Sequence, residues 1–207
     1  MENLKRRYAL RVIAGLAKGK RLKAPAGLNT RPVTDMIKEA LFNVLGDSVK
    51  GSLFLDLFAG SGSVGIEALS RGAKQVVFID NSVPAVKTIK ENICNCGFKE
   101  GFSIYRNDVF KALSILFQQG YKFDIIYIDP PFTVDEIFDR IICHLDETPM
   151  LTQYGKIILR TRRKKQINVR LHALEEYRTN NYGESALHYY RMNKEVKLND
   201  GDFQNPR

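Results

Sequence analysis

The chain has 207 residues, 44% hydrophobic and 27% charged, a composition of one soluble globular domain rather than a disordered or disulfide-built chain. A chain this long buries about 70% of the surface its unfolded form exposes and needs no crosslink or metal to fold. Its 32 basic residues outnumber 23 acidic ones, for a net charge of +9, and the excess is concentrated rather than spread.

Residues 1–34 hold Lys5, Arg6, Arg7, Arg11, Lys18, Lys20, Arg21, Lys23 and Arg31 against Glu2 alone. A second basic cluster, Arg160, Arg162, Arg163, Lys164, Lys165 and Arg170, meets no acid between 160 and 174. Charge confined to two segments suits a polyanion, most simply nucleic acid. No uncharged apolar run approaches the roughly 18 residues of a membrane span, and the N-terminus lacks the apolar region of a signal peptide. Cys94, Cys96 and Cys143 read as reduced thiols of a cytoplasmic protein. No Cys-x-x-Cys pair exists, and His144, His172 and His188 share no metal-ligand spacing, so no metal is expected.

In chain order, residues 8–24 read as two short strands around Gly15 and Gly19, a basic hairpin. From Thr34, apolar residues at 36, 37, 40, 41, 44 and 45 give a helical face, with Thr34 as its cap and Gly46 as its end. Strands are predicted at 53–58, 75–80, 102–106, 123–129 and 155–161. Helices are predicted from Ser63 and at 83–96, 108–118 and 134–145. This alternation of apolar, β-branched runs with helices implies a parallel sheet covered on both faces. Two closing strands, within 175–183 and 186–192, have no helix between them and should form an antiparallel hairpin at one edge. Residues 194–207 are polar and read as a tail.

Two motifs carry chemistry. Asp56-Leu-Phe58-Ala-Gly60-Ser-Gly62-Ser-Val-Gly65 follows the first strand and opens a helix. Glycines there permit a tight turn and close backbone approach, and the helix start offers free N–H groups. Asp80 ends the next strand, where an acid accepts from ribose hydroxyls, with Asn81 beside it. Asp56 favours S-adenosylmethionine over a dinucleotide, because a carboxylate attracts a cationic amino-acid moiety and repels a pyrophosphate. Asp108, followed by Val109, reads either as an acceptor for an adenine amino group or as a helix cap.

The second motif is Asp129-Pro130-Pro131-Phe132, after the fourth predicted strand. In a doubly wound sheet ligands bind beyond the carboxyl ends of the strands, so it should face the glycine loop. The prolines stiffen the backbone and remove two donors, leaving carbonyls and the Asp129 carboxylate as acceptors. Phe132 offers a face for base stacking. Such a cage grips an exocyclic amine. Guanine presents two adjacent donors, N1–H and N2–H, which suit an acceptor-only carboxylate; adenine matches it less well but stays open.

These motifs, with ArgValIleAlaGly (11–15), ThrArgProValThrAsp (30–35), LysGluAlaLeuPheAsn (38–43) and TyrGlyGluSerAlaLeu (182–187), make the chain resemble bacterial 16S rRNA guanine-N2 methyltransferases of the small-subunit methyltransferase D type. The resemblance implies a Rossmann-like class I methyltransferase fold: a seven-stranded, mostly parallel sheet with an antiparallel last strand, here with a basic N-terminal hairpin. It implies S-adenosylmethionine as cofactor and a guanine of 16S rRNA, on an assembled or nearly assembled small ribosomal subunit, as substrate. The catalytic candidates are Asp129, Pro130, Pro131 and Phe132. The cofactor candidates are Asp56, Phe58, Gly60, Gly62, Asp80, Asn81, Asp108 and Val109. Arg31 and Thr34 are placed by the resemblance at the lip of the site, and Arg11, Lys18, Lys20 and Arg21 are candidates for gripping phosphates. The expected division is an extension (1–33), a methyltransferase domain (34–193) and a flexible tail (194–207), in a monomer. Competing readings are an adenine-N6 methyltransferase, an NAD-linked oxidoreductase and a non-catalytic RNA-binding assembly factor.

Overall fold

The computed structural model describes residues 10–26 and 33–193; Arg31, the first nine residues and the 194–207 segment lie outside them. Helix α1 (Asp35–Leu45) starts at Thr34, whose Oγ1 accepts the Ile37 N–H, and ends at Gly46, where a single 3-10 turn (Gly46–Val49) takes over. Then follow β1 (Leu53–Leu57), α2 (Ser63–Ser70), β2 (Gln75–Asp80), α3 (Val83–Cys96), β3 (Phe102–Arg106), α4 (Val109–Gln118), β4 (Phe123–Ile128), α5 (Glu136–Glu147), β5 (Leu151–Arg162), β6 (Leu174–Tyr182) and β7 (Ser185–Met192). Local chemistry sets the helix starts. Ser82 caps α3 ahead of Pro84, and Asp108 caps α4 by accepting from Phe110 and Lys111 N–H.

The seven strands form one sheet in the order β3-β2-β1-β4-β5-β7-β6. β1 to β5 run parallel, and β7 lies antiparallel between β5 and β6. The expected alternation and the closing antiparallel hairpin are both present. β5 starts earlier than the sequence pattern indicates, because Leu151 already pairs with Phe123 across a register shift.

Alternate residues of each strand go to opposite faces, and the core divides accordingly. Phe54, Val76, Phe78, Ile125 and Tyr127 pack with Leu41, Phe42, Ile66 and Ile89 of α1, α2 and α3. Leu55, Leu57, Val77, Ile79, Ile126 and Ile128 pack with Leu113, Phe138 and Ile142 of α4 and α5. Burial on both faces explains why these strands read as unbroken apolar runs.

The N-terminal segment corrects one expectation. Residues 10–26 make a hairpin-like turn, but its pairing is a single antiparallel bridge, Arg11 to Arg21, rather than two strands. Side chains of the helices take the amides a ladder would use. Ile13 and Ala14 N–H donate to the Glu67 carboxylate, Ala17 N–H to Ser70 Oγ, and Lys23 N–H to Asn92 Oδ1. Leu10, Val12, Ala17 and Leu22 are buried in the same cluster as α1–α3, so this segment packs as part of the sheet's helical cover.

Candidate active site

The carboxyl ends of β1, β2 and β4 lie side by side, in register through Leu57, Ile79 and Ile128. The loops leaving them are stitched together. Ala59 N–H donates to the Ile79 carbonyl, Gly60 N–H to Asp80 Oδ2 at 2.8 Å, and Asp129 N–H to the Leu57 carbonyl. Asn107 N–H donates to the Asp80 carbonyl, which brings Asp108 and Val109 to the same edge. One crevice therefore gathers the glycine loop, Asp80, Asp108 and the Asp129-Pro-Pro-Phe turn, as the strand-end rule requires.

Within the glycine loop, Gly60 and Gly62 adopt φ of +56° and +73°, and Gly62 is the left-handed cap of α2. Phe58 has φ +58°, unique for a non-glycine among the described residues. A side chain held there stores roughly 1–3 kcal/mol of strain, a cost typical of ligand-binding turns. Gly65 is needed for space: a Cβ there would lie 2.3 Å from the Phe78 ring. It lets α2 sit directly on β2, and its N–H donates to Asp56 Oδ2 at 2.9 Å.

Besides Asp129, three carboxylates converge on the crevice. Asp56 is 2% exposed. Burial pushes its carboxyl well above the usual range; the Gly65 N–H opposes this, and the Asp129 and Asp80 charges add to it. Asp80 uses both oxygens on backbone, Oδ2 for Gly60 N–H and Oδ1 for Ser82 N–H, and keeps further lone pairs for a ligand. Asp108 uses only Oδ1 for its cap, so the two readings of that residue are compatible. Asn81 is exposed and Val109 is buried at the start of α4.

Asp129 follows β4, with Pro130 buried and Pro131 and Phe132 half-buried. The Pro131 carbonyl accepts from Val134 N–H, whereas the Pro130 carbonyl has no partner among the described residues. The Asp129 carboxylate is engaged. Arg160 Nη1 donates to Oδ2 at 2.8 Å and to Oδ1 at 3.2 Å. Burial raises the Asp129 pKa and the guanidinium pulls it back. The same guanidinium lies over the Phe132 ring, 5.1 Å from its centroid, and Arg162 lies 5.9 Å from it.

The substrate candidates are more scattered. Thr34 and Arg11 meet at the start of α1, where Arg11 Nε donates to Asp35 at 2.8 Å. The hairpin tip rests on the far end of α2: Leu16 N–H donates to the carbonyl of Ser70, the last residue of that helix. Eight residues of helix put that point about 12 Å along the axis from the glycine loop. Lys18, Lys20 and Arg21 thus flank the outer ends of α2 and α3, away from the crevice.

A family described as conserved hypothetical protein 95 matches residues 10–191. The chain belongs to this family. Ribosomal RNA small subunit methyltransferase D of Haemophilus influenzae is 34% identical over 76% of this chain and 81% of its own length. YlbH of Bacillus subtilis, provisionally named an rRNA methyltransferase, is 37% identical over 88% of this chain and 98% of its own. Among solved structures, the provisionally named methyltransferase yhhF of Escherichia coli superposes with a TM-score of 0.76 at 27% identity, covering 88% of this chain and 97% of that one. The conserved hypothetical protein 95 chain thus has the class I S-adenosylmethionine-dependent methyltransferase fold that its sequence motifs imply.

Within this family member, sequence reading assigned Arg160 to a basic surface cluster, and the structure overturns that. Arg160 is 5% exposed and bound to Asp129. Lys165 of the same cluster is tied to Asp135 and Asp139. A signal was present: Arg160 directly follows the apolar run Ile157–Leu159 within an interior strand, where an unpaired charge is not tolerated. Glu67 and Lys38 were also missed. Both side chains are fully buried, 3.8 Å apart, and Glu67 gathers Ile13, Ala14 and Arg71 while Lys38 Nζ donates to the Arg11 carbonyl.

Proposed function

We propose that this chain transfers the methyl group of S-adenosylmethionine to the exocyclic N2 of a guanine in 16S rRNA of the small ribosomal subunit. The observation that carries this reading is the pairing, across one crevice, of the glycine loop with a turn whose remaining acceptors are the Asp129 carboxylate and the Pro130 carbonyl. The RNA substrate is carried over from the relatives named for ribosomal RNA methylation.

The residues fit the cofactor. Asp129 and Asp80 both act against a negative charge on Asp56, a repulsion that a bound cation relieves. Asp56 and the Gly60–Gly62 loop, with Phe58, hold the amino-acid end. Asp80 and Asn81 hold the ribose; Asp108 and Val109 border the adenine. Bound there, S-adenosylmethionine supplies an electrophilic methyl group on a sulfonium.

The chain's own work is to present the nucleophile. An aryl amine is a weak nucleophile because its lone pair is delocalised into the ring. Asp129 and the Pro130 carbonyl accept its hydrogens, favouring a pyramidal nitrogen and relieving the positive charge that develops on it. Phe132 stacks on the base and Pro131 fixes the turn. Transfer requires the amine about 3–3.5 Å from the methyl carbon, in line. The amine releases its proton to solvent afterwards, so no base of shifted pKa is needed. An unpaired loop base swings into such a pocket readily. The resemblance assigns Arg31 and Thr34 to the lip of the site, and Arg11, Lys18, Lys20 and Arg21 hold backbone phosphates further out.

The test is methyl transfer from labelled S-adenosylmethionine to small ribosomal subunits lacking the modification, followed by nucleoside identification. N2-methylguanosine is the expected product. N6-methyladenosine overturns the reading of the base, and tight cofactor binding without transfer favours the assembly-factor reading.

A further inference from the structure

Arg160 is a cation buried at the end of a central strand, and burying a guanidinium costs several kcal/mol before any partner is found. Among the described residues its side-chain donors go to two places. Nη1 bonds both oxygens of Asp129, and Nε and Nη2 reach Ser185 Oγ of β7 at 3.3 and 3.2 Å. Its flat face lies over Phe132. One side chain of β5 thus joins the Asp129 carboxylate, the Phe132 ring and β7 into a single unit. Packing does not call for this arrangement, since an apolar residue serves a buried strand position as well or better.

We infer that Arg160 is a positioning and specificity-determining residue for the target base: it keeps Asp129 an acceptor-only carboxylate whose open lone pairs face the crevice. This rests on the reading of Asp129 as the group that accepts from the target amine. A carboxylate has about four acceptor sites; Arg160 takes one on each oxygen and leaves one on each. Two adjacent acceptors complement the two adjacent donors of guanine, N1–H and N2–H. A protonated carboxyl offers one donor and one acceptor, the pattern that complements adenine's N1 and N6–H. Arg160 thereby selects between the two edges.

The charged and titratable groups facing Asp129 are Arg160 from β5, Tyr127 from β4 and Asp56 from β1. Burial favours a proton on this carboxyl, and among the groups facing it Arg160 alone carries the opposite charge. Without it the carboxyl takes a proton at higher pH and ceases to accept at one oxygen.

The experiment is a pH profile of kcat on unmodified small ribosomal subunits at saturating labelled S-adenosylmethionine, for the full chain, Arg160→Gln, Arg160→Lys, Ser185→Ala and Asp129→Asn. Cofactor affinity by calorimetry reports whether each variant is folded. Arg160→Gln should bind cofactor within about threefold of the parent and lose about 10–100-fold in kcat at pH 7, the scale of a charged hydrogen bond. Its acidic limb should move up by one pH unit or more, so that part of the loss is regained in alkali. Arg160→Lys should restore the limb, because it restores the charge, with a reduced plateau. Ser185→Ala keeps the Asp129 pair and loosens its anchor, so it should lower the plateau severalfold without moving the limb; this variant carries the test if Arg160→Gln does not fold. An unchanged profile in Arg160→Gln, a uniform loss with no movement of the limb, or a Ser185→Ala plateau equal to the parent's overturns the inference while leaving the role of Asp129 intact. Parent-like turnover by Asp129→Asn overturns that role, and the inference with it.

Discussion

Asp56 is the residue whose environment makes the sharpest prediction about cofactor binding. Burial foremost, with the charges of Asp129 and Asp80, holds its folded pKa above the unfolded value. The folded apo protein therefore binds this proton more tightly than the unfolded chain. The stabilising contribution is full below the unfolded pKa and is lost as pH rises through the folded one. A bound cation has the opposite preference, for the ionised form, so binding releases the proton. Affinity for S-adenosylmethionine should then tighten as pH rises above the ordinary carboxylate range, by at most about tenfold per unit. Calorimetry in two buffers of different ionisation enthalpy checks it. Proton release should be present in the parent chain and absent in Asp56→Asn; equal heats in both buffers for the parent refute the linkage.

At the scale of elements, the junction of β1, the glycine loop and α2 decides whether the crevice exists. Two glycines of the same motif are needed for different reasons. A Cβ on Gly65 meets the buried Phe78 ring at 2.3 Å and Val76 at 2.9 Å, neither of which has room to retreat. A Cβ on Gly60 meets nothing nearer than the Phe58 carbonyl at 3.9 Å and suffers only its left-handed φ. Gly65→Ala should cost about 1–3 kcal/mol by overpacking and lower the melting temperature by several degrees. Gly60→Ala should cost about 1 kcal/mol from backbone strain. Thermal melts of the two variants check the order, and a smaller loss for Gly65→Ala refutes the packing role. The motif's spacing showed that glycines belong here, but which one serves packing depends on Phe78, a residue of the next strand.

For the whole molecule, the question is how a basic surface reaches a flexible polyanion. Arg163 and Lys164 lie exposed just past the end of β5, next in the chain to Arg162, which lies over the Phe132 ring, while Lys18, Lys20 and Arg21 lie over the outer ends of α2 and α3. Replacing Arg163 and Lys164 together by Gln should weaken RNA binding and flatten the plot of log affinity against log salt, by about one for each phosphate no longer neutralised. Replacing the hairpin trio by Gln should raise KM for RNA and leave kcat unchanged, because that surface does not touch the reacting groups. Binding isotherms at several salt concentrations and steady-state kinetics check both. A fall in kcat for the hairpin variant, or an unchanged slope for the β5 variant, refutes the respective assignment.

By itself, the sequence determined the alternation of strands and helices, the caps at Thr34 and Asp108, the glycine loop and the Asp-Pro-Pro-Phe turn. Each depends on neighbours within a few residues or on a two- or 3.6-residue period. The terminal hairpin was legible for the same reason, since no helical period separates its strands. Only the tertiary structure decided that Arg160 belongs to Asp129 rather than to solvent, because the pair joins residues 31 positions apart across two adjacent strands. It also decided that the N-terminal turn would exchange a strand ladder for the carboxylate of Glu67, 53 and 54 positions away. A charge in a sequence does not show which partner will bury it. Burial is settled by which strands end side by side, and that order is fixed only when the whole sheet has packed.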